Sequence, residues 1–203
     1  MTASRYGVAV LTYNRRREVL DTVARIAAVV DEAAIVVVDN ASSDGSAAAL
    51  AAAFPRARVL RLACNIGAAA RNAAAQCIAA PYVAFADDDT WWAPGALQRA
   101  ADVLDAHPRL AAITARVLVE PDGREDPTCA AMAASPLPNR SGVPGWEILG
   151  VMAGACMMRR AAFLGVGGYE PRLFLGREEA LLAIDLAAAG WTMAYVPSVT
   201  VHH

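Results

Sequence analysis

The chain has 203 residues, 57% hydrophobic and 6% aromatic, with 18 Lys+Arg against 20 Asp+Glu and a formal net charge of -2. So apolar and weakly charged a chain has little reason to stay unfolded, and a single compact domain is expected. No basic excess is available to neutralise the phosphates of a nucleic acid, so any anionic ligand must be held locally.

The richest apolar stretches, 23–38 and 148–166, are interrupted by Asp31, Glu32, Arg159 and Arg160. Neither reaches the roughly 18 uninterrupted apolar residues of a membrane span. Residues 1–5 lead straight into a strand-like run without the charged start and cleavage site of a secretory signal, so a cytoplasmic location is expected. Cys64, Cys77, Cys129 and Cys156 make no C-x-x-C pair. They read as buried free thiols.

Along the chain, short β-branched runs alternate with stretches of helical period. Residues 7–12 read as a buried strand, and 16–30 as a helix with Val19, Leu20, Val23, Ile26, Ala27 and Val30 on its apolar face. Strands follow at 34–39, 58–62 and 82–86, separated by helices at 46–54 and 68–79. This alternation implies parallel strands joined by helical crossovers. A helix at 95–106 ends where Pro108 disfavours continuation. A strand at 111–119 closes on the turn Pro121-Asp122-Gly123. Residues 126–145, rich in Pro and Gly and without a clear period, read as one long loop. A strand at 154–159, a helix at 178–189 with Leu181, Leu182, Ile184 and Leu186 turned inward, and a strand at 192–196 complete the chain.

In an open parallel sheet, ligands bind beyond the carboxyl ends of the strands. Here those ends carry Thr12-Tyr13-Asn14, the run from Asp39 to Gly45, Asn65-Ile66-Gly67 and Asp87-Asp88-Asp89. Asp44 and Ser43 read more simply as turn and capping residues. The other strand ends, taken together, point to a ligand site. Three adjacent carboxylates repel one another unless a cation offsets them, and hard divalent ions favour such oxygen donors.

The segments VAVLTYNR (8–15), VVVDNASSDGS (36–46), NIGAAARN (65–72), FADDDTWWAPGAL (85–97), GACMMRRAAFLGVGGYEPRLF (154–174) and REEALLAIDLAAAGW (177–191) give the chain a resemblance that covers residues 6–203. It resembles the family-2 glycosyltransferases, which are inverting and nucleotide-sugar dependent. The resemblance implies a Rossmann-like α/β fold of the GT-A type, with a mostly parallel central sheet flanked by helices. It implies one domain, with residues 1–93 as a nucleotide-binding half and 94–203 as an acceptor-binding half. Similar chains continue with further helices, which implies a minimal or C-terminally truncated version here.

The resemblance also implies roles. Thr12, Tyr13 and Asn14 would line the nucleobase pocket, with Asp39 accepting a base N–H. Asn65 and Gly67 would lie where the backbone approaches the nucleotide, and Arg71 would reach the diphosphate. Asp87 and Asp88 would face ribose and diphosphate. Asp89, with Asp87 and with His202 or its neighbour His203, would hold Mn²⁺ or Mg²⁺. The catalytic base would be Glu179 or Glu178, where similar chains carry Glu-Asp. Trp91, Trp92 and Trp146 are candidates for stacking on sugar rings, one of the adjacent pair serving instead to plug the sheet edge. The donor would be a nucleotide-diphosphate sugar and the acceptor a saccharide, a lipid-linked sugar or a small molecule, with no nucleic acid partner. Two other readings stand beside this one: a non-catalytic nucleotide-sugar binding module or partner-dependent subunit, and a sugar nucleotidyltransferase. The last is disfavoured because Asn14-Arg15-Arg16-Arg17 lacks the glycines of a phosphate loop.

Overall fold

The computed structural model describes residues 4–30 and 34–203. The interruption expected at Asp31 and Glu32 and the first three residues of the chain lie outside them.

Strand β1 (Tyr6–Thr12) leads into helix α1 (Arg16–Val29), then β2 (Ala34–Asp39), α2 (Ser46–Ala53), β3 (Arg58–Arg61), α3 (Ala70–Cys77) and β4 (Tyr82–Asp87). Parallel pairing of β1 with both β2 and β4, and of β2 with β3, makes this half the expected crossover sheet. Helix α1 forms because Val19, Thr22, Val23 and Ile26 recur at helical spacing and are all buried. The apolar excess of α3 is mostly alanine, whose short side chain lets a helix lie close on the sheet.

The second half continues with β5 (Trp91–Trp92), α4 (Ala96–Ala106), β6 (Leu110–Val119), β7 (Arg124–Glu125), α5 (Pro127–Ala133), β8 (Trp146–Glu147), β9 (Cys156–Arg159), α6 (Arg160–Gly165), α7 (Glu178–Ala188) and β10 (Thr192–His202). Strand order across the sheet is β3-β2-β1-β4-β9-β6-β10-β5. Strand β10 runs parallel to β6, whereas β9 is antiparallel to β4 and β6 and joins the two halves. The longer strands thus point one way, and their carboxyl ends form one edge. Register tightens that edge: Thr12 pairs with Asp39, and Leu11 with Asp87.

Four expectations need correction. Residues 126–145 are not all loop, because α5 begins there with Asp126 accepting from the Thr128 N–H and Pro127 in the first turn. On α7 the buried apolar residues are Leu182, Ala183 and Leu186, whereas Ile184 is exposed. Strand β10 does not stop at Val196 but resumes after an irregularity between Val196 and Thr200. Cys64 is exposed, although Cys129 and Cys156 are buried as expected. Among the described residues no helix is long and apolar enough to cross a membrane.

Candidate functional site

Two cavities open along the carboxyl edge. The first, about 450 Å³, is bounded by the ends of β1, β2 and β4 and by the segment before α7; its lining includes Thr12, Tyr13, Asn65, Gly67, Asp88 and Asp89. The second, about 420 Å³, includes Thr90, Asp126, Gly154, Glu178 and Glu179. Arg71, Asp87, Leu175 and His203 line both. The two cavities are therefore parts of one cleft.

The loop after β2 is held by its own side chains. Asp44 accepts from the Arg16 and Ser46 N–H groups, so one carboxylate serves the first turns of both α1 and α2. Its pKa is lowered, chiefly by the Ser46 hydroxyl bond. This supports the capping reading of Asp44. Asn14, in the left-handed region at φ 54°, accepts from the Ser43 N–H. Asp39 is fully buried; its Oδ1 accepts from the Ser42 N–H, while Oδ2 has no hydrogen-bond partner and lies 3.8 Å from Arg61 Nε. That oxygen is buried and lines neither cavity.

Asn65 Oδ1 accepts from Asn40 Nδ2 and from the Gly67 N–H. Gly67 has φ +63°, and a Cβ there would lie 1.9 Å from the Phe174 carbonyl oxygen. The Ala68 N–H donates to that same oxygen at 2.7 Å. Glycine is thus required by the segment before α7 and by the backbone conformation. The expected reason, approach of a nucleotide, is additional at most.

The acidic run after β4 is divided among separate partners. Asp87 pairs with Arg71, and its Oδ2 would lie 2.3 Å from a Cβ on Gly154, so that position admits no side chain. The Asp87 N–H donates to Thr90 Oγ1, which donates onward to the Gly154 carbonyl. Asp88 accepts from Thr12 Oγ1 at 3.0 Å, and burial, only partly offset by Arg15, pushes its pKa up to about 6. Asp89 meets Arg15 at 2.8 Å and His203 Nε2 at 3.7 Å. Burial opposes the charges of Arg15 and Arg71, yet the neighbouring aspartates outweigh it and both pKa values are raised. Arg71 also lies over the Tyr169 ring at 5.9 Å, with its Nε unpartnered.

On α7, Glu179 is half-buried, and desolvation followed by the charge of Glu178 raises its pKa. Glu178 is 3% exposed with Oε2 unpartnered. A raised, accessible carboxyl is the better-suited proton acceptor of the two.

Most of the expected residues line the cleft, but Asn14, Asp39 and His202 do not. His202 lines neither cavity: its Nδ1 is 2.7 Å from Glu120 Oε1 and its ring stacks on Trp91 at 5.5 Å. The neighbouring His203 is the histidine in the cleft. Nor do the tryptophans line it. Trp92 is fully buried at the sheet edge, Trp91 lies between Arg25 and His202, and Trp146 stacks on Tyr195. The residues missed are Arg15, Thr90 and Gly154. Arg15 directly follows Thr12-Tyr13-Asn14 and Thr90 directly follows the acidic run, but Gly154 had no signal beyond its chemistry.

Among the described residues no three His, Cys, Asp or Glu side chains already converge as a metal cluster. The fit to a divalent cation rests on a smaller set. Asp89 and His203 offer an oxygen and an imidazole donor 3.7 Å apart at the cleft. Mg²⁺-type sites commonly use one or two protein donors and leave the rest to substrate phosphate and water. That set is compatible with a cation, provided Arg15 yields its contact with Asp89.

The family description "Glycosyl transferase family 2" matches residues 7–166. An N-acetylglucosaminyl-diphospho-decaprenol L-rhamnosyltransferase of Mycobacterium tuberculosis is 29% identical over 205 aligned positions, covering 83% of this chain and 66% of that protein. Among solved structures, S. aureus TarS 1–349 superposes with a TM-score of 0.76 at 19% identity, over 98% of this chain and 60% of its own. A mannosyltransferase, PcManGT from Pyrobaculum calidifontis in complex with GDP-Man and Mn²⁺, gives 0.77 at 23%, over 98% and 56%. At such identities these structures speak for the fold. The chain spans just under two thirds of the length of the curated relatives it matches.

Proposed function

The chain belongs to glycosyl transferase family 2, with the α/β fold of the GT-A glycosyltransferases, and on that premise we propose that it transfers a sugar, with inversion, from a nucleotide-diphosphate sugar to an acceptor hydroxyl. The observation that carries this reading is the single cleft in which Asp88 and Asp89 lie towards one end and Glu179 towards the other, joined by Arg71 and Asp87.

The nucleobase reading is supported by the exposed Tyr13 ring, which lines the first cavity with Thr12 and with Asn40, the residue after Asp39. Arg71 and Arg15 are the cations available to a diphosphate. Asp89 and His203 would hold a divalent cation, which when bound supplies positive charge to the departing diphosphate. Glu179 takes the acceptor's hydroxyl proton as that oxygen bonds to the anomeric carbon. The carbon–oxygen bond to the diphosphate breaks, and the nucleoside diphosphate leaves. The negative charge of Glu178 beside Glu179 disfavours ionisation of Glu179, which makes the base a stronger proton acceptor.

The mycobacterial relative's name specifies a sugar-diphospho-decaprenol acceptor. A lipid-linked acceptor is accordingly the preferred class here among those considered. A cytoplasmic setting stays part of this proposal, since it rests on the sequence alone.

The deciding experiment follows transfer and donor binding together in Glu179→Gln. Turnover should fall by about 10²–10⁴-fold, with calorimetric affinity for the donor unchanged. Undiminished turnover would remove Glu179 as the base. Asp89→Ala should abolish the dependence of transfer on added Mn²⁺ or Mg²⁺ while circular dichroism reports an intact fold. Persistence of wild-type, metal-stimulated transfer would overturn the assignment of Asp89.

A further inference from the structure

A third cavity, about 300 Å³, runs from the Glu179 end of the cleft and shares Thr128, Val151 and Met152 with it. No ionisable side chain lines it; its wall is formed by α5 and the segment 148–152, including Met132, Ile148 and Leu149. Ser135 Oγ donates to the Glu147 carbonyl at 2.6 Å. With no charge and only the Thr128 and Ser135 hydroxyls among its lining side chains, the groove offers a polar occupant little to replace its hydration.

The outer rim is apolar as well. Leu149 is 59% exposed, and Leu137, beside the lining residue Pro136, is 43% exposed. Leu149, which lines the groove and is also exposed, continues its apolar surface outward. Polarity therefore falls along one continuous path, from Glu178 and Glu179 to Leu149. A ligand lying on that path is an amphiphile, with its hydroxyl-bearing end at Glu179 and hydrocarbon beyond.

We propose that this groove holds the first segment of a hydrocarbon chain on the acceptor, next to its polar head. The proposal rests on the lipid-linked acceptor reading above and adds where the lipid goes. The volume is at the lower end of the ~300–1,000 Å³ typical of small-molecule sites. It therefore takes only the part of a long chain nearest the head, and the rest leaves past Leu149.

Methyl and farnesyl esters of N-acetylglucosaminyl diphosphate, titrated calorimetrically into the whole chain, test this. The farnesyl ester should bind at least about tenfold more tightly. Leu149→Glu and Ala131→Glu, both at exposed positions and so compatible with folding, should each erase that difference while leaving the methyl ester's binding unchanged. Equal or absent binding of the two esters, or a difference that survives both substitutions, overturns the groove. A dimer in sedimentation that Leu149→Glu converts to monomer, with no chain-length effect, assigns the surface to a second copy and also overturns it. The two readings fail separately. Transfer to the methyl ester without a chain-length effect removes the groove alone, and a chain-length effect without transfer to either ester removes the transferase reading alone.

Discussion

Arg71 and Asp87 form an ion pair whose members are unequally placed. The Arg71 side chain is 6% exposed, whereas that of Asp87 is 40% exposed. Water can solvate Asp87 readily if its partner is lost, whereas the guanidinium, packed against Tyr169, is mostly withdrawn from it. Stranding a buried charge costs about 3–5 kcal/mol. Asp87→Ala should approach that loss in urea unfolding, whereas Arg71→Met, whose apolar stem still packs on Tyr169, should cost clearly less. Equal losses would show that the pair's value lies in the contact itself rather than in the desolvated arginine. The pair also shows how much the residue types disclosed. The Asp run announced a charged site, yet its neutralisation by Arg15 and Arg71 depends on side-chain direction, which adjacency in sequence does not convey.

At the level of elements, Asp44 joins two helices through one carboxylate, accepting from Arg16 at the start of α1 and Ser46 at the start of α2. Neither helix has a side-chain cap from its own N-cap residue. Asp44→Ala therefore removes both at once and should destabilise by about 2 kcal/mol, taking a typical value near 1 for each. Differential scanning calorimetry should show a Tm lower by about 4–8 °C for a chain of this length; a shift near zero would mean that water replaces the carboxylate at both ends. The parallel half was legible because crossover helices and buried strands have distinct periods, and α1 and β4 fall within a residue of their expected bounds. Helix α5 was obscured by the prolines and glycines downstream, although Asp126-Pro127 is itself a helix-start signal. The choice between His202 and His203 was beyond periodicity. Side chains alternate between sheet faces, and a strand irregular between Val196 and Thr200 ends with a facing that counting from its start does not convey.

Across the whole molecule, a net charge of -2 averages over a cleft that gathers Asp87, Asp88, Asp89, Glu178 and Glu179 against Arg15 and Arg71. The fold accepts this concentration partly by keeping a proton. Burial sets Asp88 near pKa 6, against 3.8 for an unperturbed carboxyl. Between about pH 4 and pH 6 the folded state therefore holds a proton that the unfolded chain has released. The Asp88 contribution to stability falls as pH rises through that window and levels off above it, because this group binds its proton more tightly in the folded state. The groups facing Asp88 act in both directions: Arg15 and Thr12 favour its ionised form, whereas Asp89 and Asp87 oppose it. Asp88→Asn keeps an oxygen for Thr12 Oγ1 and removes the titration. Its urea-unfolding free energy should decline less than that of the wild type between pH 4 and pH 6, so that the variant gains relative stability towards neutrality. Glu179 is shifted in the same direction, so the difference from the wild type should grow further in Asp88→Asn/Glu179→Gln. Parallel profiles for wild type and Asp88→Asn would show that Asp88 is already ionised throughout the range and that Arg15 and Thr12 compensate fully for its burial.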